Sequence, residues 1–282
     1  MNHLYIEPIG GLANRMRVIA SALEFQKRYG CEVYCIWNEN SELNAPFEDL
    51  FETVEGLHLI RKKPKFNKLR YSFRSNQFLN QLLKAYNKLL GFDYFIKAHQ
   101  VAKLVKSEEL YSIVANNTGA IYIESWGIDY NLDSKIINDI FQLKKDIIDK
   151  VEVNLSDFGV FTEVVGLHIR RTDNVEAIKN SPIELFINEI ENKIKLNNNV
   201  GFFLATDDKD VEFLLQKLYP GKILVYDTNL SRDSLEGIQD ALVDMYTLSK
   251  TAMIYGSHYS SFSTMAGKIG GINCFRLQKK NQ

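Results

Sequence analysis

Apolar residues in this chain fall into two kinds of run. Short, nearly uninterrupted runs, such as Val164 to Ile169 and Phe202-Phe203-Leu204-Ala205, have the pattern of strands covered on both faces. Longer segments repeat apolar residues every three or four positions, as Met16, Ile19, Ala20 and Leu23 do, and predict helices with one buried stripe. Read in order, the pattern predicts a strand at Leu4 to Ile6, a helix from Met16 that ends near Gly30, and strands at Cys31 to Trp37, Gly56 to Ile60 and Gly119 to Ser125. A long helix follows through Ile136, Ile140, Ile147 and Val151. From Val160 onward strands and helices alternate: helices at Ile183 to Ile194, Val211 to Leu218, Leu235 to Leu248 and Phe262 to Ile269, and strands at Val200 to Ala205, Ile223 to Tyr226, Ala252 to Tyr255 and Ile272 to Leu277. Alternation of this kind predicts an α/β fold whose C-terminal part is a doubly wound parallel sheet. The long helix is the expected bridge between an N-terminal domain, 1–152, and a C-terminal domain, 153–282.

Several of the predicted strands end in abrupt polarity, and this turns the pattern toward chemistry. The run at Val164 passes within four residues into His168-Ile169-Arg170-Arg171-Thr172-Asp173. Phe202 to Ala205 runs into Thr206-Asp207-Asp208-Lys209-Asp210, and Met253-Ile254-Tyr255 into Gly256-Ser257-His258-Tyr259-Ser260-Ser261-Phe262-Ser263. Ligands of open α/β sheets bind beyond the carboxyl ends of the strands, so three such ends converge on one crevice. Paired arginines there suit a phosphate, because a guanidinium offers a planar fork of donors and keeps its charge. The plainer alternative is a surface ion-pair network with Asp173 capping the next helix. Thr206, Asp207, Ser260 and Ser261 are also good helix caps. Asp208-x-Asp210 resembles a metal-binding carboxylate pair, but its place directly before a helix favours capping. Near the N-terminus, strand, Gly10-Gly11 and helix form the shape of an anion-binding element, or of a plain tight turn. The full dinucleotide fingerprint and a P-loop lysine are both missing.

The chain has 282 residues, 45% of them apolar and 24% charged, with a net charge of -1, which describes a globular protein and gives no global signal for nucleic acid. Charge is unevenly spread. Residues 61–106 hold twelve of the 34 Lys and Arg but one of the 35 Asp and Glu, interleaved with aromatics. Such a stretch suits an anionic membrane surface or a lipid-linked acceptor, a solvated helical face over packed aromatics, or, more weakly, RNA. Cys31 and Cys35 lie in one predicted strand about 13 Å apart, too far for a disulfide. With three cysteines and no signal peptide, the expected compartment is the cytoplasm, with contact at the inner membrane face through 61–106. No apolar run reaches the roughly 20 residues of a membrane span.

Gly10-Gly11-Leu12-x-Asn14, His168-x-Arg170-Arg171-Thr172-Asp173, Ala205-Thr206-Asp207-Asp208 and Ser260-Ser261-Phe262-Ser263, in that order, resemble the motifs of the GDP-fucose-dependent fucosyltransferase superfamily, which includes the α1,2-, α1,6- and protein O-fucosyltransferases and the nodulation enzyme. The segment from Ser234 to Ser249 also looks like the helix before the serine motif of the α1,6 enzymes. The likeness covers 160–277 well and the N-terminal half only at its first motif. It implies a GT-B arrangement of two Rossmann-like domains about a cleft, with the donor held by the C-terminal one. It further implies inverting, metal-independent transfer of fucose from GDP-fucose to a glycan or lipid-linked acceptor in surface polysaccharide synthesis, with no cofactor beyond the donor. Arg170, with Arg171 beside it, is expected at the diphosphate, His168 by the ribose or guanine, and Asp207 or Asp208 at the guanine edge. Ser260, Ser261 or Ser263 is expected to donate to the diphosphate, while Gly10, Gly11 and Asn14 line the opposite wall. The base for the acceptor hydroxyl is sought among Asp173, Glu176 and Glu7. Ala13 replaces the usual glycine of the α1,2 enzymes, and the motifs mix two branches, so the linkage is not carried over. GDP-mannose is the alternative donor, and a non-catalytic module docking through 61–106 the alternative class.

Overall fold

The computed structural model describes residues 2–60, 91–128, 132–172, 175–228 and 231–279, with the backbone alone at 175–177. Most of the basic stretch, 61–90, lies outside the described residues, as do Asp173 and Asn174. Two compact units divide the chain: Met1–Phe47 with Thr53–Leu132, and Glu48–Glu52 with Asp133–Gln282.

The first unit is a parallel five-stranded sheet. Its strands are β1 (His3–Pro8), β2 (Glu32–Ile36), β3 (Leu57–Ile60), β4 (Phe92–Ile96) and β5 (Ala120–Ser125), in the spatial order β3-β2-β1-β5-β4. Helix α1 (Leu12–Tyr29) joins β1 to β2 and buries Met16, Val18, Ile19 and Phe25. Two shorter helices, α2 (Ala98–Lys106) and α3 (Glu109–Asn116), stand between β4 and β5. β2 moves outward from β1 while β5 returns to its other side, so the strand order reverses between β1 and β5.

The second unit opens with helices α4 (Ser134–Ile140) and α5 (Lys145–Ser156), followed by β6 (Glu163–Ile169), α6 (Val175–Asn180), α7 (Ile183–Leu196), β7 (Val200–Thr206), α8 (Lys209–Leu218), β8 (Ile223–Leu224), α9 (Leu235–Leu248), β9 (Ile254–Ser257), α10 (Ser261–Gly270) and β10 (Cys274–Leu277). Its sheet is parallel, in the order β10-β9-β6-β7-β8. Val165, Leu167, Ile169, Phe202 and Leu204 form a core with Phe186 and Ile190 of α7 and Val211 and Leu215 of α8. Here the order reverses between β6 and β9.

The long helix expected through 136–151 is two helices. Asp133 caps α4 by accepting from Ile136 N at 2.9 Å, and the helix ends at Phe141 (φ -103, ψ 69). Phe141 and Leu143 turn onto Phe51, whose ring packs tilted against Phe141 with centroids 5.1 Å apart and whose backbone bridges Leu143. All three are buried, so the apolar spacing runs through the break and conceals it. Phe51, Phe141 and Leu143 all lie in the second unit, which resumes at Asp133. Asn138 Nδ2 donates to Ile269 O at 2.9 Å, and Lys150 pairs with Asp240 of α9 at 2.9 Å, so α4 and α5 belong with the second sheet. The last strands differ from the apolar runs: β8 keeps two residues, β10 begins at Cys274, and β9 is shifted, beginning at Ile254 and continuing to Ser257. No helix among the described residues is long and apolar enough to cross a membrane.

Candidate functional site

The crevice beyond β6 and β9 gathers the polar strand ends of the second unit. β6 buries six of its seven residues, so its chain direction is fixed by packing, and Arg170 and Arg171 emerge directly after it. Their backbone is held on both sides. Arg170 N donates to Ser257 Oγ at 3.1 Å, and the same hydroxyl donates to His168 O at 3.3 Å, tying β9 to β6. Arg171 N donates to Asp207 Oδ1 at 2.6 Å, while Thr172 Oγ1 donates to Asp207 Oδ2 at 2.7 Å. Burial lowers the pKa of Arg171, partly offset by Asp208, Glu184 and Asp207. Its Nη2 is buried without a hydrogen-bond partner among the described residues. A buried guanidinium nitrogen without a partner costs free energy unless an acceptor completes it, and an anion in the crevice is such an acceptor.

His168 lies beneath the arginines, nearly buried, its ring stacked on Phe262 at 4.8 Å and 22°. Ser260 Oγ sits 3.2 Å from its Nδ1. Burial, opposed in part by Asp207, lowers its pKa to about 4, so the imidazole is neutral near pH 7. Its role at neutral pH is that of an uncharged wall and hydrogen-bond partner. Ser260 occupies the N-cap position of α10, yet its hydroxyl faces His168 and makes no capping hydrogen bond among the described residues. The first-turn amides of α10 therefore rely on another acceptor, which favours an anion. Ser261, the first residue of α10, is half-buried at that end.

The remaining expected site residues make contacts within the protein. Asp208 Oδ1 accepts from Asp210 N at 2.8 Å and Val211 N at 3.4 Å, so it caps α8. Asp207 organises the loop after β6, as described. Ser263 is fully buried under β9, where a Cβ on Gly256 would lie 2.3 Å from its Oγ; it lines the core instead of the crevice. Asp173 lies outside the described residues, and Glu176 sits in α6 with its side chain likewise outside them.

In the second unit, sequence reasoning passed over two residues. Ser257, fully buried, is the clasp between β6 and β9; its place in the polar run after Tyr255 was the available signal. Asp244, on the same helix as Asp240, is buried, and desolvation together with Asp240 raises its pKa to about 8, opposed by Lys209 at the start of α8. It is therefore a protonated carboxyl near pH 7, able to donate a hydrogen bond. The helix carries Glu236, Asp240 and Asp244, and their spacing alone does not announce which of them is buried and protonated.

In the first unit, Gly10 and Gly11 do lie between β1 and α1. Gly10 takes φ +83, and a Cβ there would meet Asn14 Nδ2 at 2.8 Å, so glycine is required. Gly10 N donates to Glu42 Oε2 at 3.1 Å. Arg15, fully buried, donates to Gly10 O at 2.8 Å, Asn38 O at 2.5 Å and Asn40 Oδ1 at 3.1 Å, and packs over Trp37. Burial pushes its pKa down to about 10, which still leaves it charged. This arginine, unremarked in the sequence, holds the turn together. Asn14 Oδ1 accepts from Arg17 Nη2 at 3.2 Å. Glu7 accepts from Asn38 Nδ2 at 2.9 Å and from the Tyr122 hydroxyl. Its carboxylate is thus engaged by two donors inside the first unit.

No protein-family model matches the chain, and no curated protein is similar to it in sequence. Solved structures do resemble it. NodZ α1,6-fucosyltransferase soaked with GDP-fucose superposes with a TM-score of 0.64 at 18% identity, covering 95% of this chain and 93% of that one. NodZ from Bradyrhizobium gives the same TM-score and identity, covering 94% and 92%. A variant of Arabidopsis thaliana FUT1 in complex with GDP gives 0.63 at 12% identity, covering 99% of this chain and 71% of that one. POFUT1 in complex with GDP gives 0.54 at 14%, covering 98% of each. At these identities the likeness establishes the fold: two parallel α/β units of the GT-B class, shared with fucosyltransferases along nearly the whole chain.

Proposed function

We propose that this chain is an inverting, metal-independent glycosyltransferase that moves fucose from GDP-fucose to a glycan acceptor. The observation that carries the reading is the delivery of Arg170 and Arg171 to the β6/β9 crevice, on a backbone clamped by Ser257 and Asp207. Neighbours of the same fold were solved after soaking with GDP-fucose or in complex with GDP, which supports a nucleoside diphosphate as the ligand. Breaking the sugar to phosphate bond builds negative charge on the departing diphosphate, and preorganised cations stabilise that charge where it develops. Arg170, Arg171 and the uncapped end of α10 supply this stabilisation without a metal, while neutral His168 forms the wall beneath. Asp244, protonated near pH 7, offers a hydrogen-bond donor that an ionised carboxylate lacks. The acceptor hydroxyl needs a base, and we assign that task to the carboxylates following β6, Asp173 or Glu176. The acceptor belongs to a cell-surface polysaccharide or a lipid-linked precursor, and the chain works in the cytoplasm, with residues 61–106 meeting the inner membrane face.

Calorimetry with GDP, GDP-fucose, GDP-mannose and UDP, with and without EDTA, tests the reading. Expected is binding of GDP and GDP-fucose that EDTA leaves unchanged and Arg170→Ala abolishes. Stronger binding of GDP-mannose than of GDP-fucose transfers the proposal to a mannosyl donor. Absence of GDP binding overturns it.

A further inference from the structure

The chain has two tryptophans, and the structure treats them oppositely. Trp37 is 7% exposed, with its Nε1 donating to Ala45 O at 2.8 Å and its ring edge-on to Phe47. Trp126 is 53% exposed, in the first residue after β5. Its loop is not slack. Ile9 N donates to Ser125 O at 2.8 Å, Gly127 N to Ser125 Oγ at 3.0 Å, Arg17 Nη2 to Trp126 O at 3.0 Å and Ser21 Oγ to Ile128 O at 2.6 Å. A Cβ on Gly127 would come within 2.4 Å of Arg17 Nη2, so a side chain there would displace the guanidinium that bonds Trp126 O. Four hydrogen bonds thus hold in place a large apolar ring that packing does not bury, where solvent exposure of so much apolar surface is unfavourable.

The position gives the exposure a meaning. β1 and β5 are the strands between which the order of this sheet reverses, and open α/β sheets bind ligands at the carboxyl ends of such strands. Around that edge stand Asn14 and Arg17 from the start of α1, with Glu7 at the end of β1. One flat aromatic face with a few polar groups beside it is the composition of a small-molecule subsite. It fits a sugar ring best, because axial C–H bonds rest on the electron-rich face of an indole while the ring hydroxyls meet the amide of Asn14 and the guanidinium of Arg17; Glu7, buried and bonded to Asn38 and Tyr122, shapes the edge from beneath.

We infer that Trp126 is the stacking platform of a carbohydrate subsite in the first unit, taking a flat, equatorially linked hexopyranose of the acceptor. As an acceptor subsite this rests on the transferase reading above; as a sugar-binding site it stands on the first unit alone. The test is fluorescence titration of the full chain with N-acetylchitotetraose and with cellotetraose, which needs no donor. Emission from exposed Trp126 is expected to change saturably with at least one of them, and emission of Trp126→Phe, which reports Trp37 only, to stay constant. By calorimetry, Trp126→Phe should bind that sugar a few fold more weakly, and Trp126→Ala about tenfold or more, at unchanged melting temperature. In transfer assays the acceptor KM of Trp126→Ala should rise by a similar factor while kcat stays within about threefold. No saturable response to either oligosaccharide, or unaltered affinity in Trp126→Ala, overturns the subsite. Wild type that releases no fucose from GDP-fucose, with or without sugar, overturns the transferase reading instead and leaves the titration to decide Trp126.

Discussion

The two sheets of this molecule share one design and differ in what they place at its active edge. Each is parallel and five-stranded, and each reverses strand order beside its first strand. Beyond β6 and β9 the second sheet sets paired arginines, serines and an uncapped helix. Beyond β1 and β5 the first sheet sets a buried carboxylate, an asparagine, one arginine and an exposed indole. Topology places both candidate sites at equivalent edges, and side chains set the charge of the ligand proposed for each: an anion in the second unit, a neutral polyol in the first.

Arg170→Ala strikes that contrast hardest. It should cost about 2 to 5 kcal/mol of transition-state stabilisation, as truncating one partner of a close charge pair does. A rate loss under threefold would remove Arg170 from the diphosphate site and erase the electrostatic difference between the crevices.

Protonation comes next. His168 has its pKa lowered to about 4 in the folded chain, against 6.5 for an unperturbed imidazole. Between these values the unfolded chain binds the extra proton, so His168 makes stability fall as pH drops from about 6.5 toward 4, by roughly 3 kcal/mol at the limit. Urea unfolding of wild type and His168→Gln should give curves that diverge over that window and run parallel above it. Asp244 acts in the opposite sense. Its pKa of about 8 means the folded chain holds a proton that the unfolded chain releases above about 4, so stability is lost as pH rises from about 4 to about 8, by at most ~1.4 kcal/mol per unit. Asp244→Asn should therefore gain on wild type as pH rises through that range. Parallel curves would show that Asp244 is ionised and is no donor.

Gly256→Ala sharpens the picture of the site floor. Its new Cβ meets Ser263 Oγ at 2.3 Å, and overpacking of this kind costs about 1 to 3 kcal/mol. Ser263→Ala in the same chain should restore part of the loss, as coupled neighbours do. Additive losses would mean that Ser263 does not fill the space under β9. Gly10→Ala, at φ +83, should cost about 1 kcal/mol or more in the first unit, with GDP affinity as the second measurement.

Much of the second unit was legible because its elements answer to local rules. Helix α9 matches its apolar span from Leu235 to Leu248, and Val164 to Ile169 is a buried strand because parallel sheets cover both faces. The positions of the arginine pair, Ser260 and Ser261 follow from polarity at strand ends. What escaped was set by contacts distant in sequence. The break at Phe141 depends on Phe51, and the role of Arg15 on Asn38 and Asn40. The inward turn of Ser263 depends on the absence of a side chain at Gly256. Trp126 escaped for the opposite reason, since a lone aromatic in a chain that is 12% aromatic carries no pattern.

The short piece Glu48–Glu52 sits with the second unit although about eighty residues of the first follow it. Glu52 N donates to Gln142 O at 2.8 Å, Lys144 pairs with Glu52 at 2.8 Å, and Phe51 is buried on Phe141. A ribosome therefore emits part of the second unit long before the rest, and that unit closes only when the early piece is retrieved. A fragment beginning at Asp133 would leave Phe141 and Leu143 uncovered and should be prone to aggregate. Chimaeras that exchange donor-side halves between relatives should carry residues 48–52 along with the half they complete.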